Sequence, residues 1–330
     1  MDTDFDVITI GDSTIDTFIK IHDATVECNI NNKECRICIE YGGKIPVEGI
    51  LQGVAGNAAN VAVGCVTLGL KCAIYTHLGD DWQGKMIKDS LGKTCVAADF
   101  IVVEKNKNSN LSVVITYQGE RSILVYHQPW KYSLPKLSGA KWIYFTSVSE
   151  SFTSSNLVDE VCRFIDKSHA KLAFGPGTYQ LKADIKRYPK LLERCDFLIL
   201  NLEEAKWVLG IDPKENIAVR DLLSKLLFLG PKIVVVTDAM NGSYCTDGQQ
   251  YLKTGIFPTK VVEKTGAGDA YSSAFLAALA NGHRLEEAMV WGAVNSAHVI
   301  TEAGAQNGLL TRNNIEKHRK VMPELVATSL

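Results

Sequence analysis

No apolar run in the 330 residues approaches the ~20 needed to cross a bilayer. The opening Met1-Asp2-Thr3-Asp4 also lacks the basic start of a signal peptide. Both absences lead to the expectation of a cytoplasmic chain with no membrane partner. A basic excess is missing too: 35 Lys and Arg against 37 Asp and Glu give a formal net charge of -2, which offers no footprint for nucleic acid. There is no low-complexity linker and no internal repeat. What is present is a globular composition, 46% hydrophobic and 22% charged, long enough to bury a full-sized core. Small molecules are the expected partners.

Nine cysteines make an odd count, and Cys65, Cys72, Cys162, Cys195 and Cys245 sit inside apolar periodic segments, where a free thiol behaves as a small hydrophobe. No disulfide framework is expected. For a cytoplasmic chain the Asn-x-Ser triplets at Asn110 and Asn241 are chance matches to a glycosylation signal. Cys28, Cys35 and Cys38, with His22 upstream, include one Cys-x-x-Cys spacing without the partner pair of a zinc site. Two readings stay open: buried thiols, or a metal or redox role.

Val7-Ile8-Thr9-Ile10-Gly11 is a short β-branched run ending in polar Asp12-Ser13-Thr14, the pattern of a buried strand with a functional edge. Lys141 to Phe145, Lys171 to Phe174, Phe197 to Leu200 and Ile233 to Val236 repeat it. Between such runs lie helical periods: Asn57 to Leu68, Trp82 to Leu91, Ser154 to Lys167, Leu202 to Leu209, Ile217 to Leu229, Gly268 to Ala280 and Leu285 to Thr301. The alternation predicts an α/β fold with a mostly parallel sheet covered on both faces, and ligands beyond the carboxyl ends of its strands. Two stretches, about 17–52 and 110–127, are strand-like without intervening helices, and are expected to form one small projecting sheet, a lid. In the second, Gln118-Gly119-Glu120-Arg121 reads as a four-residue hairpin loop.

The strongest local feature is Lys264-Thr265-Gly266-Ala267-Gly268-Asp269-Ala270-Tyr271, which runs directly into a helical pattern. Small residues let the backbone approach a ligand, and the free amides of a first helical turn bind anionic oxygen. An Asp in the same turn can take the proton of an attacking hydroxyl, although Asp269 could equally be a simple helix cap.

This segment resembles the C-terminal signature of the ribokinase-like (PfkB) carbohydrate kinases, in which Asp-Thr-Thr precedes Gly-Ala-Gly-Asp. Here Glu263-Lys264-Thr265 stands in its place. The resemblance implies Asp269 as catalytic base and Gly266, Ala267 and Gly268 as anion hole. It also implies a monovalent cation beside the loop, which Lys264 would repel or replace. Val54 to Ala62 is similar to the family's Gly-Gly-Asn-Ala-Ala-Asn-Val-Ala substrate motif with Ala55 at the first Gly, which implicates Gly56 and Asn60. Gly11 to Asp16 resembles the family's opening and assigns substrate hydroxyls to Asp16, with Asp12 as a second candidate.

Asn201-Leu202-Glu203-Glu204 matches the Asn-x-x-Glu element, implying Asn201 near the nucleotide phosphates and Glu204 near Mg²⁺, partly through water; a helix cap with first-turn acids fits the same residues. Thr237, Asp238 and Gly242 fall in the nucleotide loop, with Ala239 at its first Gly, and Glu302-Ala303-Gly304-Ala305 matches the closing loop. Asn295 is a candidate adenine contact or a helix-packing residue. Gly175 stands where relatives carry Asn.

The motifs run in family order from Val7 to about Leu310. They imply a ribokinase-like three-layer sandwich over residues 1–330 with a small β-sheet lid, using ATP and Mg²⁺. A sugar such as ribose or a hexose is the expected acceptor, a nucleoside kinase is the alternative, and a non-catalytic nucleotide-binding member comes third. Tyr126 and Trp130 are expected to offer aromatic faces to the acceptor, and a homodimer is expected through the lid.

Overall fold

The computed structural model describes residues 3–29, 35–118 and 120–330. Strand β1 (Thr3–Ile10) opens the central sheet. The chain leaves it for β2 (Thr14–Ile21), β3 (Thr25–Cys28), β4 (Cys35–Cys38) and β5 (Val47–Ala55), then returns through α1 (Asn57–Thr67), β6 (Cys72–Gly79), α2 (Trp82–Lys93) and β7 (Ala97–Glu104). The hairpin β8 (Leu111–Tyr117) and β9 (Glu120–Tyr126) leaves it again. Strands and helices then alternate: β10 (Gly139–Phe145), α3 (Leu157–Ser168), β11 (Lys171–Phe174), the short α4 (Thr178–Lys182) and α5 (Pro189–Glu193), β12 (Cys195–Asn201), α6 (Leu202–Leu209), α7 (Val219–Leu227) and β13 (Val234–Thr237). Strands β14 (Ser243–Thr246) and β15 (Tyr251–Thr254) precede α8 (Ala267–Ala280), α9 (Leu285–Val299), α10 (Arg312–Val321) and β16 (Thr328–Ser329).

The ten-stranded sheet has the order β16-β15-β14-β13-β12-β11-β10-β1-β6-β7. Pairs from β13 to β7 are parallel and those from β13 to β16 antiparallel. Alternate side chains feed two cores. Val7, Trp142, Tyr144 and Val235 join α1, α2, α8, α9 and α10 on one face; Ile8, Ile143, Phe145 and Val236 join α3, α5, α6 and α7 on the other. This is a three-layer sandwich, held by the period-two alternation of strands buried on both sides. Among the described residues no helix is long and apolar enough to cross a membrane.

The order in which the chain adds parallel strands reverses at β1, which lies between β10 and β6. Such a switch point opens a crevice beyond the strand ends, where neighbouring loops part. The turns after β1 and β10 meet there, with the Asp12 amide donating to the Ser147 carbonyl at 2.7 Å.

A separate four-stranded sheet, β5-β2-β8-β9, stands over this crevice. Its register puts Asp16, Ser112 and Val125 in one row and Phe18, Val114 and Ile123 in the next, all on one face. Two expectations need correction. The hairpin pairs Tyr117 with Glu120, so Glu120 and Arg121 belong to β9 and not to a four-residue loop; Gly119 lies outside the described residues. Among the described residues between β2 and β5, β3 and β4 pair only with each other and do not extend the small sheet.

Cys28 and Cys35 face each other across that ribbon and form a disulfide. Neither is a buried thiol: both are exposed, and Cys38 is partly so. No cluster of three or more potential ligands is arranged for a metal ion among the described residues. Asn110 is buried, donating to the Ser13 carbonyl and accepting from the Gln128 amide, so it is closed to modification.

Candidate active site

Asp269 sits in the first turn of α8, directly after Gly266 at its N-cap. Gly266 has φ 84°, and a Cβ there would lie 2.6 Å from the Ala305 carbonyl oxygen, so glycine alone fits the turn that starts the helix. The carboxylate accepts two amide hydrogen bonds from α1: Asn57 Nδ2 to Oδ1 at 2.9 Å and Asn60 Nδ2 to Oδ2 at 2.7 Å. Gln306 Nε2 in turn donates to Asn60 Oδ1 at 3.1 Å, fixing that amide's orientation. Gly56, with φ 93°, lets α1 begin against the turn after β1; a Cβ there would lie 2.7 Å from both the Asp12 carbonyl oxygen and the Ser13 Cα.

Three carboxyls share this cleft, and burial raises all three. Asp269 is only partly accessible, at the floor of the cleft; burial outweighs its two amide donors and lifts it to about 6, with the charges of Asp16 and Glu204 adding to the rise. Asp16, on β2, is also lifted to about 6, by burial first and then by Glu263, against the opposing pull of Ser112 and Arg121. Asp12 reaches about 7 because burial exceeds the effect of the Tyr132 hydroxyl, which donates to Oδ1 at 2.7 Å. Asp12 Oδ2 is buried with no partner, an open acceptor position.

The cleft contains two adjoining cavities. One, of about 450 Å³, is polar, and Asp12, Asp16, Asn57, Asn60, Ser112 and Asp269 are among its lining residues. The other, of about 320 Å³, is apolar, walled by Ile256, Phe257, Val261, Tyr271 and Ala293. Lys264, Ala267 and Gly268 line both. The first turn of α8 is therefore a shared wall, with its positive dipole end at the junction.

Asp12, Asp16, Gly56, Asn60, Gly266, Ala267, Gly268 and Asp269 all meet at the polar cavity. Thr237 and Gly242 line the apolar one. Asp238 does not; its amide donates to the Gly242 carbonyl at 2.8 Å and closes the turn beside that cavity. Asn201 and Glu204 cap α6 reciprocally, each side chain accepting from the other's backbone amide, at 2.8 and 2.9 Å. They stand outside both linings, although Glu204 is near enough to bear on Asp269.

Asn295, the candidate adenine contact, lines neither cavity. It is buried between helices, donating to the Ala270 carbonyl at 2.8 Å and accepting from the Leu310 amide at 2.9 Å. Tyr126 and Trp130 do not line the polar cavity either: the Tyr126 hydroxyl donates to Gln128 Oε1, and Trp130 is 2% exposed. Gly175 has a steric reason, since a Cβ there would lie 2.5 Å from the Tyr144 hydroxyl, which fills the space.

Sequence reasoning missed Asn57, Gln306 and Arg121. Asn57 was legible as the i−3 neighbour of Asn60 on one helix face. Arg121 was not, because its partner lies 142 positions away: Nη1 donates to Glu263 Oε1 at 2.6 Å. Glu263 also accepts from the Thr265 amide and hydroxyl at 2.8 and 2.7 Å. The position before the Gly-rich turn thus serves as an anchor for the small sheet.

Known proteins agree with this architecture. The fold superposes on Arabidopsis thaliana ribokinase complexed with ribose and ATP with a TM-score of 0.77, at 20% identity over 95% of this chain and 98% of that one. It also matches a Methanocaldococcus jannaschii nucleoside kinase at TM-score 0.75 and 19% identity, over 96% and 98% of the two chains. In sequence it is 25% identical to a Thermoanaerobacterium thermosaccharolyticum ATP-dependent 6-phosphofructokinase, covering 92% of this chain and 90% of the relative. Identity to a Bacillus subtilis 5-dehydro-2-deoxygluconokinase is also 25%, over 95% of each. Residues 18–312 match the model of the pfkB family carbohydrate kinases, and the chain belongs to that family, phosphotransferases that act on a hydroxyl group.

Proposed function

We propose that the chain transfers the γ-phosphoryl of Mg-ATP to a hydroxyl of a small sugar, with Asp269 as base and the amides of Gly266, Ala267 and Gly268 as anion hole. The observation that carries this reading is that Asp269 lines the polar cavity while the turn bearing it walls both cavities. The acceptor oxygen would bond to the γ-phosphorus as its proton passes to Asp269. The bond from that phosphorus to the bridging oxygen would break, and ADP would leave with the electron pair. A carboxyl lifted to about 6 suits this role, being ionised at neutral pH yet a stronger base than an ordinary Asp. The first-turn amides and helix dipole would stabilise charge on the transferred group.

The apolar cavity suits an adenine, with Thr237 and Gly242 at its edge. With no three-ligand cluster among the described residues, magnesium would arrive on the nucleotide phosphates with most of its waters, and Glu204 would reach it through one of them beside Asn201. Bound there, the ion would offset phosphate charge. In the polar cavity Asp16, Asp12 and Asn60 would take sugar hydroxyls, since carboxylates and amides pair well with a diol. Among the described residues that line it the only ring is the imidazole of His127, which favours a sugar over a nucleobase. The relatives named ribokinase, 6-phosphofructokinase and 5-dehydro-2-deoxygluconokinase support the same class.

Residues 1–330 are read as one kinase domain whose segments about 17–52 and 110–127 act as a lid, excluding water from the cleft. Ile50 and Leu124 are 65% and 60% exposed on the face of the small sheet opposite Asp16, and a second copy would cover them in a homodimer. A monomeric mass at micromolar concentration would reject the dimer. The function itself is tested by ADP release from Mg-ATP across pentoses, hexoses, phosphosugars, sugar acids and nucleosides, with Asp269→Asn alongside. Turnover with a sugar that falls at least 10²-fold in the folded variant is expected. Turnover confined to nucleosides would reject the sugar, and unchanged turnover in the variant would reject Asp269.

A further inference from the structure

We infer that Lys264 is the cationic contact for the phosphoryl group as it passes from the apolar cavity to the polar one. The inference rests on the proposed transfer reaction and deepens it. Among the described residues Lys264 is the only charged one lining the apolar cavity, and it also lines the polar one. Its exposed side chain makes no ion pair among the described residues. The other cation on the polar cavity, Arg121, is already held by Glu263 at 2.6 Å.

Charge bookkeeping in the cleft makes this consequential. Asp12, Asp16 and Asp269 line the polar cavity, and Glu204 acts on Asp269 from nearby. A triphosphate brought against these carboxyls meets repulsion that the partial charge of a helix end offsets only in part. An uncommitted ammonium at the junction supplies the missing positive charge where the transferring group must cross. The loop holds it there from both sides: Glu263 is fixed by Arg121 and Thr265, and Gly266 is fitted against Ala305. Because the stem of Lys264 is exposed, it can follow the phosphoryl over the short path between the cavities.

The test compares wild type, Lys264→Met and Lys264→Arg in two readouts. Calorimetry measures affinity for β,γ-imido-ATP, ADP and adenosine, each with magnesium. Wild type is expected to prefer the triphosphate analogue over ADP, Lys264→Met to lose that preference, and adenosine affinity to stay the same in both. In turnover, Lys264→Met is expected to lose kcat on the order of 10²-fold, as for loss of one anion-hole donor, with Lys264→Arg intermediate. Retention in Lys264→Met of both the triphosphate preference and kcat within threefold would overturn the inference. A loss confined to KM for ATP would also overturn it, reducing Lys264 to a binding residue. If wild type phosphorylates no acceptor, the proposed reaction fails on its own, and the triphosphate preference alone decides whether Lys264 meets the terminal phosphoryl.

Discussion

Arg121, on β9 of the small sheet, donates to Glu263 Oε1 at 2.6 Å, joining that sheet to the loop that starts α8. The side chains are 33% and 9% exposed, so the pair is partly shielded from solvent and salt. It also sets the charge around Asp16, where Arg121 lowers and Glu263 raises the carboxyl.

Arg121→Ala should therefore weaken acceptor binding in a pH-dependent way. Without the guanidinium, Asp16 keeps the raising effects of burial and Glu263 and loses an opposing one, so its carboxyl rises further above 6. At pH 6 more of it is protonated than in wild type; at pH 8 both are ionised. KM for the acceptor is expected to rise about tenfold at pH 6 and roughly threefold at pH 8, corresponding to about 1 kcal/mol or less for the tether itself. Steady-state kinetics at both pH values checks this, and an equal rise at both would remove Asp16 from the explanation.

The raised carboxyls also make stability depend on pH. Asp12 goes from an ordinary value near 3.8 to about 7 in the folded protein. The folded state then holds the proton more tightly, so this contribution is fully present below about pH 4 and is lost as pH rises through 7. Asp12→Asn should raise Tm by several degrees at pH 8, where wild type carries a buried charge, and by almost nothing at pH 4. Differential scanning fluorimetry across that range reads the difference. In kinetics, kcat/KM should climb with pH through an inflection near 6 as Asp269 ionises.

What could be read in the sequence follows from what local pattern encodes. The helix Leu202–Leu209 and strand Lys171–Phe174 coincide with their apolar runs, because cap and turn residues sit beside them. Strand β6 escaped notice: it is buried along all eight residues, and Cys72, Ala73 and His77 break the β-branched look of a core strand. His77 is kept there by Tyr75 and Glu104, each at 2.8 Å, and Glu104, 27 positions away, lies outside any local window. The polar cavity's motif residues were legible because their small-residue turns are local. Asn295 was ambiguous for the opposite reason, since an amide inside a helix reads alike whether it faces a ligand or another helix. The Cys28–Cys35 bridge depends on β3 pairing with β4, which a count of cysteines does not encode.

Gly266 and Gly268, two residues apart, should respond to alanine in opposite ways. At Gly266 the φ of 84° strains any L side chain, and the added Cβ would meet Ala305 backbone and side-chain atoms at 2.6 to 2.8 Å. Gly266→Ala must displace the closing loop or the start of α8, so both Tm and turnover should fall, with a stability cost on the order of 2 kcal/mol. At Gly268 the Cβ would meet nothing within 4 Å, and alanine is the better helix former by roughly 1 kcal/mol. Gly268→Ala should therefore fold as well as wild type or melt slightly higher. Yet Gly268 lines both cavities, so its Cβ would occupy the junction a phosphoryl group must cross. Turnover should fall at least tenfold while Tm holds, a separation that thermal melting and kinetics on the same preparation can detect. Full activity in Gly268→Ala would mean that the phosphoryl does not pass this turn, and the assignment of the anion hole would fall with it.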